Sequence, residues 1–337
     1  MNKRNLIIIG VIILLIIGGV LFYAKKQSQK TNTYTQSPPS IKKILDEAVI
    51  SPVGAFDNNS IWYFNADGRL FKVNTDGTNI SEFPLPPLPN GKLRSVIWPK
   101  QGSDFISFAV DGNKFYKDYF DSANKFFINL ADNVQWIEWL PDGKRVVYVW
   151  QASDKKSQQL VRANADGSGY KIIAPLFWPD LILKASPDGK TILMYRSKIE
   201  GDTNKIYATN LDSGAMSTLV DTGKNTGVLW LPVGNMFLYA QNSKIYLFDV
   251  LNKLAIDLNL NTALDKITAD ASGKIFYAAV PKSDKSGDTF IKLNLSNGKS
   301  ESYFEPTSEV QSKNVMLIGN TIYYTDSRDN KLYMISK

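Results

Sequence analysis

The residues able to do chemistry are few, because two of the types that most often do it are missing. The chain of 337 residues contains no histidine and no cysteine. That removes Ser-His-Asp and Cys-His nucleophile systems, an imidazole base near neutral pH, thiolate metal ligands and disulfides. Carboxylates, Tyr, Lys and Ser remain, or an added cofactor, for which the sequence carries no motif. Glu138, in the run Val134-Gln135-Trp136-Ile137-Glu138-Trp139-Leu140, is a lone carboxylate among tryptophans, and such a residue is more often solvated than catalytic. Hydrolysis by paired carboxylates needs a second acid at matched separation, and no local spacing supplies one. The Asp-rich turns carry oxygens suited to calcium, but none continues into a twelve-residue loop ending in a bidentate Glu, and turn chemistry accounts for them. The expectation is no assembled catalytic residue, no metal and no cofactor.

Recognition chemistry is better represented. Pro84-Leu85-Pro86-Pro87-Leu88-Pro89 and Pro175-Leu176-Phe177-Trp178-Pro179 are two apolar crossings. Pro86 and Pro87 favour a preformed polyproline helix, and Phe177 and Trp178 are aromatic anchors, so both crossings could bind a partner with little entropy loss. The plainer alternative is that they cap the body hydrophobically. Three other irregular segments, residues 151–159, 197–204 and 281–289, are charged. The remaining aromatics, such as Tyr63, Tyr148, Tyr239 and Tyr323, sit in apolar runs and read as core.

The net charge of +7 has an address. Residues 1–43 hold Lys3, Arg4, Lys25, Lys26, Lys30, Lys42 and Lys43 and no acid, leaving 32 charges of each sign in residues 44–337. A neutral body argues against a nucleic-acid partner, whose phosphates need a basic surface on the folded part. Residues 6–22 are apolar and uncharged and extend to the interfacial Tyr23. As a helix this stretch is roughly 27 Å long, close to bilayer thickness, so residues 1–23 are expected to be a short stub and a transmembrane anchor. A cleaved secretory signal needs small residues before the cut, and Phe22 fits poorly there. The basic flanks nearly tie, but long domains cross largely regardless of charge, which favours an extracytoplasmic body. Residues 24–40 have linker composition, enough for a coil of roughly 20 Å.

From residue 41 onward, short apolar strands alternate with Gly, Asn and Asp turns. The strongest strands begin their core at Ile61, Phe105, Val146, Ile192, Phe237, Ile275 and Ile322, a mean step of 43.5 residues. That period predicts an all-β, seven-bladed β-propeller over residues 41–337, with six blades as the alternative because one step is short. The last repeat ends one strand early, and residues 41–45 can fill the vacancy, which would leave no open sheet edge. The turns Ala185-Ser186-Pro187-Asp188-Gly189-Lys190 and Trp139-Leu140-Pro141-Asp142-Gly143-Lys144, with Lys205-Ile206-Tyr207-Ala208-Thr209-Asn210-Leu211-Asp212-Ser213-Gly214, resemble the WD-like repeats of the TolB-type propeller superfamily. The resemblance spans nearly all of residues 41–337 and is clearest in the third to fifth blades. It implies a propeller with envelope roles and protein partners, inner strands that line a channel which Glu138 could face, and a face that gathers the irregular loops opposite the Pro-Asp-Gly hairpins. The expected function is a membrane-anchored interaction module of the cell envelope. A carbohydrate- or cell-wall-binding module using Phe177 and Trp178, and a glycosidase or lyase using Glu138, are the alternatives.

Overall fold

The computed structural model describes residues 39–336 apart from residues 56, 155, 199–202, 225, 233 and 285. The expected anchor and most of the linker lie outside the described residues. Among the described residues no helix is long and apolar enough to cross a membrane, and the helical content is one 3-10 turn, Leu264–Lys266.

After β1 (Ser40–Ala48), the strands fall into groups of four. Blade 1 is β2 (Ile50–Gly54), β3 (Ser60–Phe64), β4 (Leu70–Asn74) and β5 (Ser81–Phe83). Blade 2 is β6 (Lys92–Ile97), β7 (Phe105–Asp111), β8 (Lys114–Asp121) and β9 (Phe126–Asn129). Blade 3 is β10 (Val134–Trp139), β11 (Arg145–Gln151), β12 (Gln158–Asn164) and β13 (Lys171–Leu176). Blade 4 is β14 (Leu181–Ala185), β15 (Thr191–Arg196), β16 (Asn204–Asn210) and β17 (Met216–Thr222). Blade 5 is β18 (Gly227–Trp230), β19 (Met236–Gln241), β20 (Lys244–Asp249) and β21 (Leu254–Asn261). Blade 6 is β22 (Ile267–Ala269), β23 (Ile275–Pro281), β24 (Asp288–Asn294) and β25 (Lys299–Phe304). Blade 7 is β26 (Ser312–Ile318), β27 (Thr321–Asp326) and β28 (Lys331–Ser336), with β1 as its fourth strand. Seven four-stranded antiparallel sheets make a seven-bladed propeller and set aside the six-bladed alternative.

Burial explains why the second strand of each blade carries the repeat signal. β11 and β15 are buried over four consecutive residues because both faces of a blade are covered by its neighbours. Fourth strands such as β21 and β25 are mostly exposed. The core is accordingly divided among seven clusters, each bridging two adjacent blades.

Polar contacts fix the joints. The indole N–H of Trp98 donates to Ser51 O at 2.8 Å, that of Trp139 to Ile97 O at 3.1 Å, and that of Trp230 to Lys184 O at 3.0 Å. In each case the tryptophan at the end of an inner strand, or just past it, grips the inner strand of the preceding blade. The following turn is closed locally: Asp142 Oδ1 accepts from the N–H groups of Lys144 and Arg145 at 3.0 Å each. Gly143 there has φ 64°, and a Cβ on it would lie 2.3 Å from Gln101 O of the neighbouring hairpin, so the blades approach this closely only with glycine.

The ring closes where β1 pairs antiparallel with β28, from Ser40 opposite Ser336 to Ala48 opposite Lys331. Ile44 and Leu45 enter the joint between blades 7 and 1 beside Ile61, Tyr63 and Leu332. Tyr323 donates to Thr75 O at 3.0 Å, and Lys42 Nζ to Asp76 O at 2.7 Å across the same joint. Within each blade, the turns joining first to second and third to fourth strands share one side, the hairpin face. Those joining second to third strands and one blade to the next share the other, the loop face. Leu45 is 2% exposed. Leu45→Ala is expected to lower stability by about 2–5 kcal/mol, read as a lower melting temperature of the full chain; an unchanged melting temperature would mean that this joint is not structural.

Candidate functional site

A desolvated carboxyl and a buried amine share one cavity at the channel. Inner strands β6, β10 and β14, with β8 from the body of blade 2, wall a cavity of about 370 Å³ lined by Ser95, Phe115, Lys117, Trp136, Glu138 and Lys184 among others. A bulge in β10 shapes it. Gln135 pairs with Val149 and Glu138 with Val147, so Trp136 and Ile137 together oppose Tyr148. Ile137 turns into the joint with blade 2, while Trp136 stays 42% exposed with φ 45°. A bulky residue in the left-handed region costs about 1–3 kcal/mol, and such strain concentrates at functional positions. β2 and β26 carry similar kinks, but on Ser51 and Asn314.

Glu138 Oε2 lies 3.5 Å from Lys184 Nζ on the adjacent inner strand, with 24% of the Glu138 side chain still open to the channel. Burial among the blades pushes the Glu138 carboxyl above the usual carboxylate range, against the pull of Lys184 and an Ala185 N–H. Behind it, Tyr195 is pushed up to about 12 by burial, with the charge of Glu138 adding to the effect. Lys117 is 5% exposed, reaches Asp132 O at 3.5 Å, and is held below the usual lysine range by burial, which outweighs Asp132. One carboxyl pushed up and one amine pushed down in a single cavity is a pattern of acid-base and anion-binding sites. No second carboxylate lines this cavity, so it does not present a hydrolytic carboxylate pair. Its ammonium groups and indole suit an anionic or hydroxyl-rich ligand.

Four larger clefts open elsewhere among the described residues, and two of them are well above the channel cavity in volume. One, of about 550 Å³, lies between blades 1 and 2 beside Trp62 and Trp98; the other, of about 560 Å³, lies between blades 2 and 3 beside Tyr148 and Trp150. The first holds the surface ion pair of Lys72 and Asp57 at 3.1 Å, and the second the turn carboxylate Asp166. Neither brings a desolvated carboxyl and amine together. The cleft of about 410 Å³ beside Lys266 and Asp288 does, but there the two close on each other at 2.9 Å, and Asp288 also accepts from Ser312. That pair is satisfied within the protein, whereas Lys117 of the channel cavity reaches only a carbonyl, at 3.5 Å.

The two apolar crossings are split by their contacts. Phe177 is 77% exposed on the loop face. Trp178 instead stacks on Tyr207 at 4.2 Å and 20° and packs on the joint of blades 3 and 4, meeting Phe177 edge-on at 6.1 Å. The pair is thus no common flat platform. Pro86 is half-buried and Pro87 exposed, while Leu85 and Leu88 anchor their crossing in the joint of blades 1 and 2. Phe115, 49% exposed, stacks on Phe108 beside Trp136, so the loop face of blades 2 to 4 offers Phe115, Trp136 and Phe177. Sequence reasoning passed over Phe115, Lys117 and Lys184. Lys117 and Phe115 stand on a third strand, and no local pattern assigns such residues to the channel. Among the described residues no group of three or more Asp, Glu, His or Cys stands close enough to hold a metal ion. The turn carboxylates accept from their own backbone, as Asp166 does from Ser168 N at 2.9 Å.

No protein-family model matches the chain, and no curated protein sequence matches it. Among solved structures the propeller is similar to an oligogalacturonate lyase in complex with manganese, with a TM-score of 0.63 and 12% identity over 89% of this chain and 97% of the other. It is also similar to the oligogalacturonate lyase of Vibrio parahaemolyticus, with a TM-score of 0.60 and 8% identity over the same shares of the two chains. At such identities the likeness establishes a common propeller fold and nothing about activity.

Proposed function

We propose that this chain is a recognition module of the cell envelope, anchored through residues 6–23 with its propeller outside the cytoplasm, and that it binds a protein partner with the loop face of blades 2 to 4. The observation that carries this reading is that Phe115, Trp136 and Phe177 are all exposed and stand toward one face of consecutive blades. Large rigid aromatics on a fixed scaffold bind with little ordering cost and dominate interface energies. The apolar run of residues 6–22 supports the anchor, and the resemblance of the repeats to TolB-type propellers supports an envelope role with protein partners. A photo-reactive amino acid placed at position 177 or 115 of the full chain in intact cells is expected to give one discrete adduct. The same group at position 142, on the hairpin face, is expected to give none, and equal labelling from both faces would refute the choice of face.

One observation favours a second reading, an acidic oligosaccharide in the channel cavity: Lys117 and Lys184 flank Trp136 there. The structural neighbours are lyases named for such a substrate. The donor set does not fit a manganese site like the one that the first neighbour's description implies, since the chain has no His or Cys and its described carboxylates form no cluster. No metal-dependent step is derived. Oligogalacturonate added to the full chain is expected, on this reading, to change the tryptophan fluorescence, and Trp136→Phe to remove most of that change. No change in the parent chain would eliminate the reading.

Glu138 also sets a pH dependence. Its folded-state pKa is raised, so ionising it costs the folded state more than the unfolded one. The parent chain should therefore lose stability relative to Glu138→Gln as pH climbs from the ordinary glutamate value through the raised one, with no difference below that window. Thermal unfolding of both chains from acid to neutral pH measures this, and a variant that is weaker at neutral pH than at acid pH would show that the Lys184 pair outweighs burial.

A further inference from the structure

The exposed apolar side chains on the other face form a second pattern. Ile80, Phe126, Tyr170, Ile172, Leu251 and Leu254 are all exposed, with Tyr170 at 70% and Leu251 at 74%. Each stands in, or just after, the turn between the third and fourth strands of blade 1, 2, 3 or 5. They therefore lie along the rim of the hairpin face on four of the seven blades, at the ends of the outermost strands. Three of these turns also present an exposed lysine next to the apolar residue: Lys125 before Phe126, Lys171 after Tyr170, and Lys253 before Leu254; the aspartate of each turn, Asp121, Asp166 or Asp249, is bonded to that turn's own N–H groups. Among the described residues these three lysines make no ion pair. Apolar or aromatic tips beside free ammonium groups are the composition of surfaces that settle at a lipid interface, apolar atoms toward the acyl boundary and charge toward anionic headgroups.

The chain's own path selects the same face. β1 is the fourth strand of blade 7, and its first residue, Ser40, pairs with Ser336 at the hairpin end of β28. Lys42 confirms that end, since its Nζ reaches Asp76 O in the third-to-fourth turn of blade 1. Whatever precedes Ser40 is joined to the propeller at the hairpin face. The sequence ahead of it is a charge-free apolar stretch, residues 6–22, followed by a segment of linker composition.

We propose that the hairpin face is a membrane-docking surface, its rim of apolar tips and lysines resting on an anionic bilayer. The proposal rests on the anchor reading of residues 6–23. It also leaves the loop face, with Phe115, Trp136 and Phe177, pointing away from the bilayer toward a partner.

The absence of cysteine from the chain makes the test direct. Tyr170→Cys, Leu251→Cys and Phe177→Cys are each labelled with an environment-sensitive fluorophore in the full chain, reconstituted into vesicles of phosphatidylcholine and phosphatidylglycerol. Spin-labelled lipid is expected to quench the probes at positions 170 and 251 several-fold more than the probe at 177. Probes at 170 and 251 that stay as water-exposed as the one at 177, in a chain that resists alkaline extraction, overturn the docking surface and leave the anchor standing. Shielding of 170 and 251 that follows protein density and is independent of lipid composition assigns the face to a second copy and overturns the proposal. A chain that alkaline washing removes from the vesicles overturns the anchor and the docking surface with it.

Discussion

No blade of this ring owns a core. Each apolar cluster lies between two sheets, so a blade is folded only while both neighbours cover it, and the ladder between β1 and β28 is what gives the first and last blades their second neighbour. The entropy of that closure is modest. Joining positions 296 residues apart costs about 5 kcal/mol in its length-dependent part. Burying Ile44 and Leu45 alone returns about 3–6 kcal/mol, and seven other buried side chains share the same cluster. Loss of the ladder would strip both the closing energy and one face of each flanking blade, leaving β28 with an unpaired edge.

Much of this architecture was legible in the sequence because the constraint is written locally. A second strand covered on both faces must be apolar at consecutive positions, and Val146-Val147-Tyr148-Val149 or Ile192-Leu193-Met194-Tyr195 announces it without any partner in view. The hairpin motif was legible only where Trp, Pro, Asp and Gly coincide. Blade 1 turns through other residues, among them Asn58 at positive φ, and blade 7 through the two residues 319–320 alone. The site was legible in part. Glu138 could be read toward a channel because it lies on an inner strand, but Lys184 reaches it from the next blade and Lys117 enters from the body of the preceding one. Phe177 and Trp178 show the limit of reading adjacent residues alike. One continues the crossing into water, and the other is captured by Tyr207.

The charges in the channel wall make poor sense as stabilisers. A pair separated by 3.5 Å, with burial outweighing attraction at Glu138, adds little beyond what apolar side chains would supply there. Lys117 gains no carboxylate partner for its burial, only the carbonyl of Asp132 near the limit of hydrogen bonding. Trp136 adds backbone strain in the same cavity. Lys117, Glu138 and Trp136 thus place three departures from good folding economy within one cavity, and such departures concentrate at functional positions.

The direction of closure decides what each face is free to do. An inner strand starts at the loop face, so a chain that supplied all four strands of each blade in order would enter the ring there, and any tether would emerge among the loops. Borrowing the outermost strand from the N-terminal side reverses this: β1 starts at the hairpin face, and β28 ends there opposite it. Both ends of the propeller are thereby drawn to the side whose turns are already fixed by Asp and Gly geometry. The longer connections, the strained tryptophan and the exposed Phe177 are left on the side that carries no chain end. The ends of the propeller and the exposed aromatics of its loop face are thus separated across the thickness of the ring by a single choice of which strand completes the last sheet.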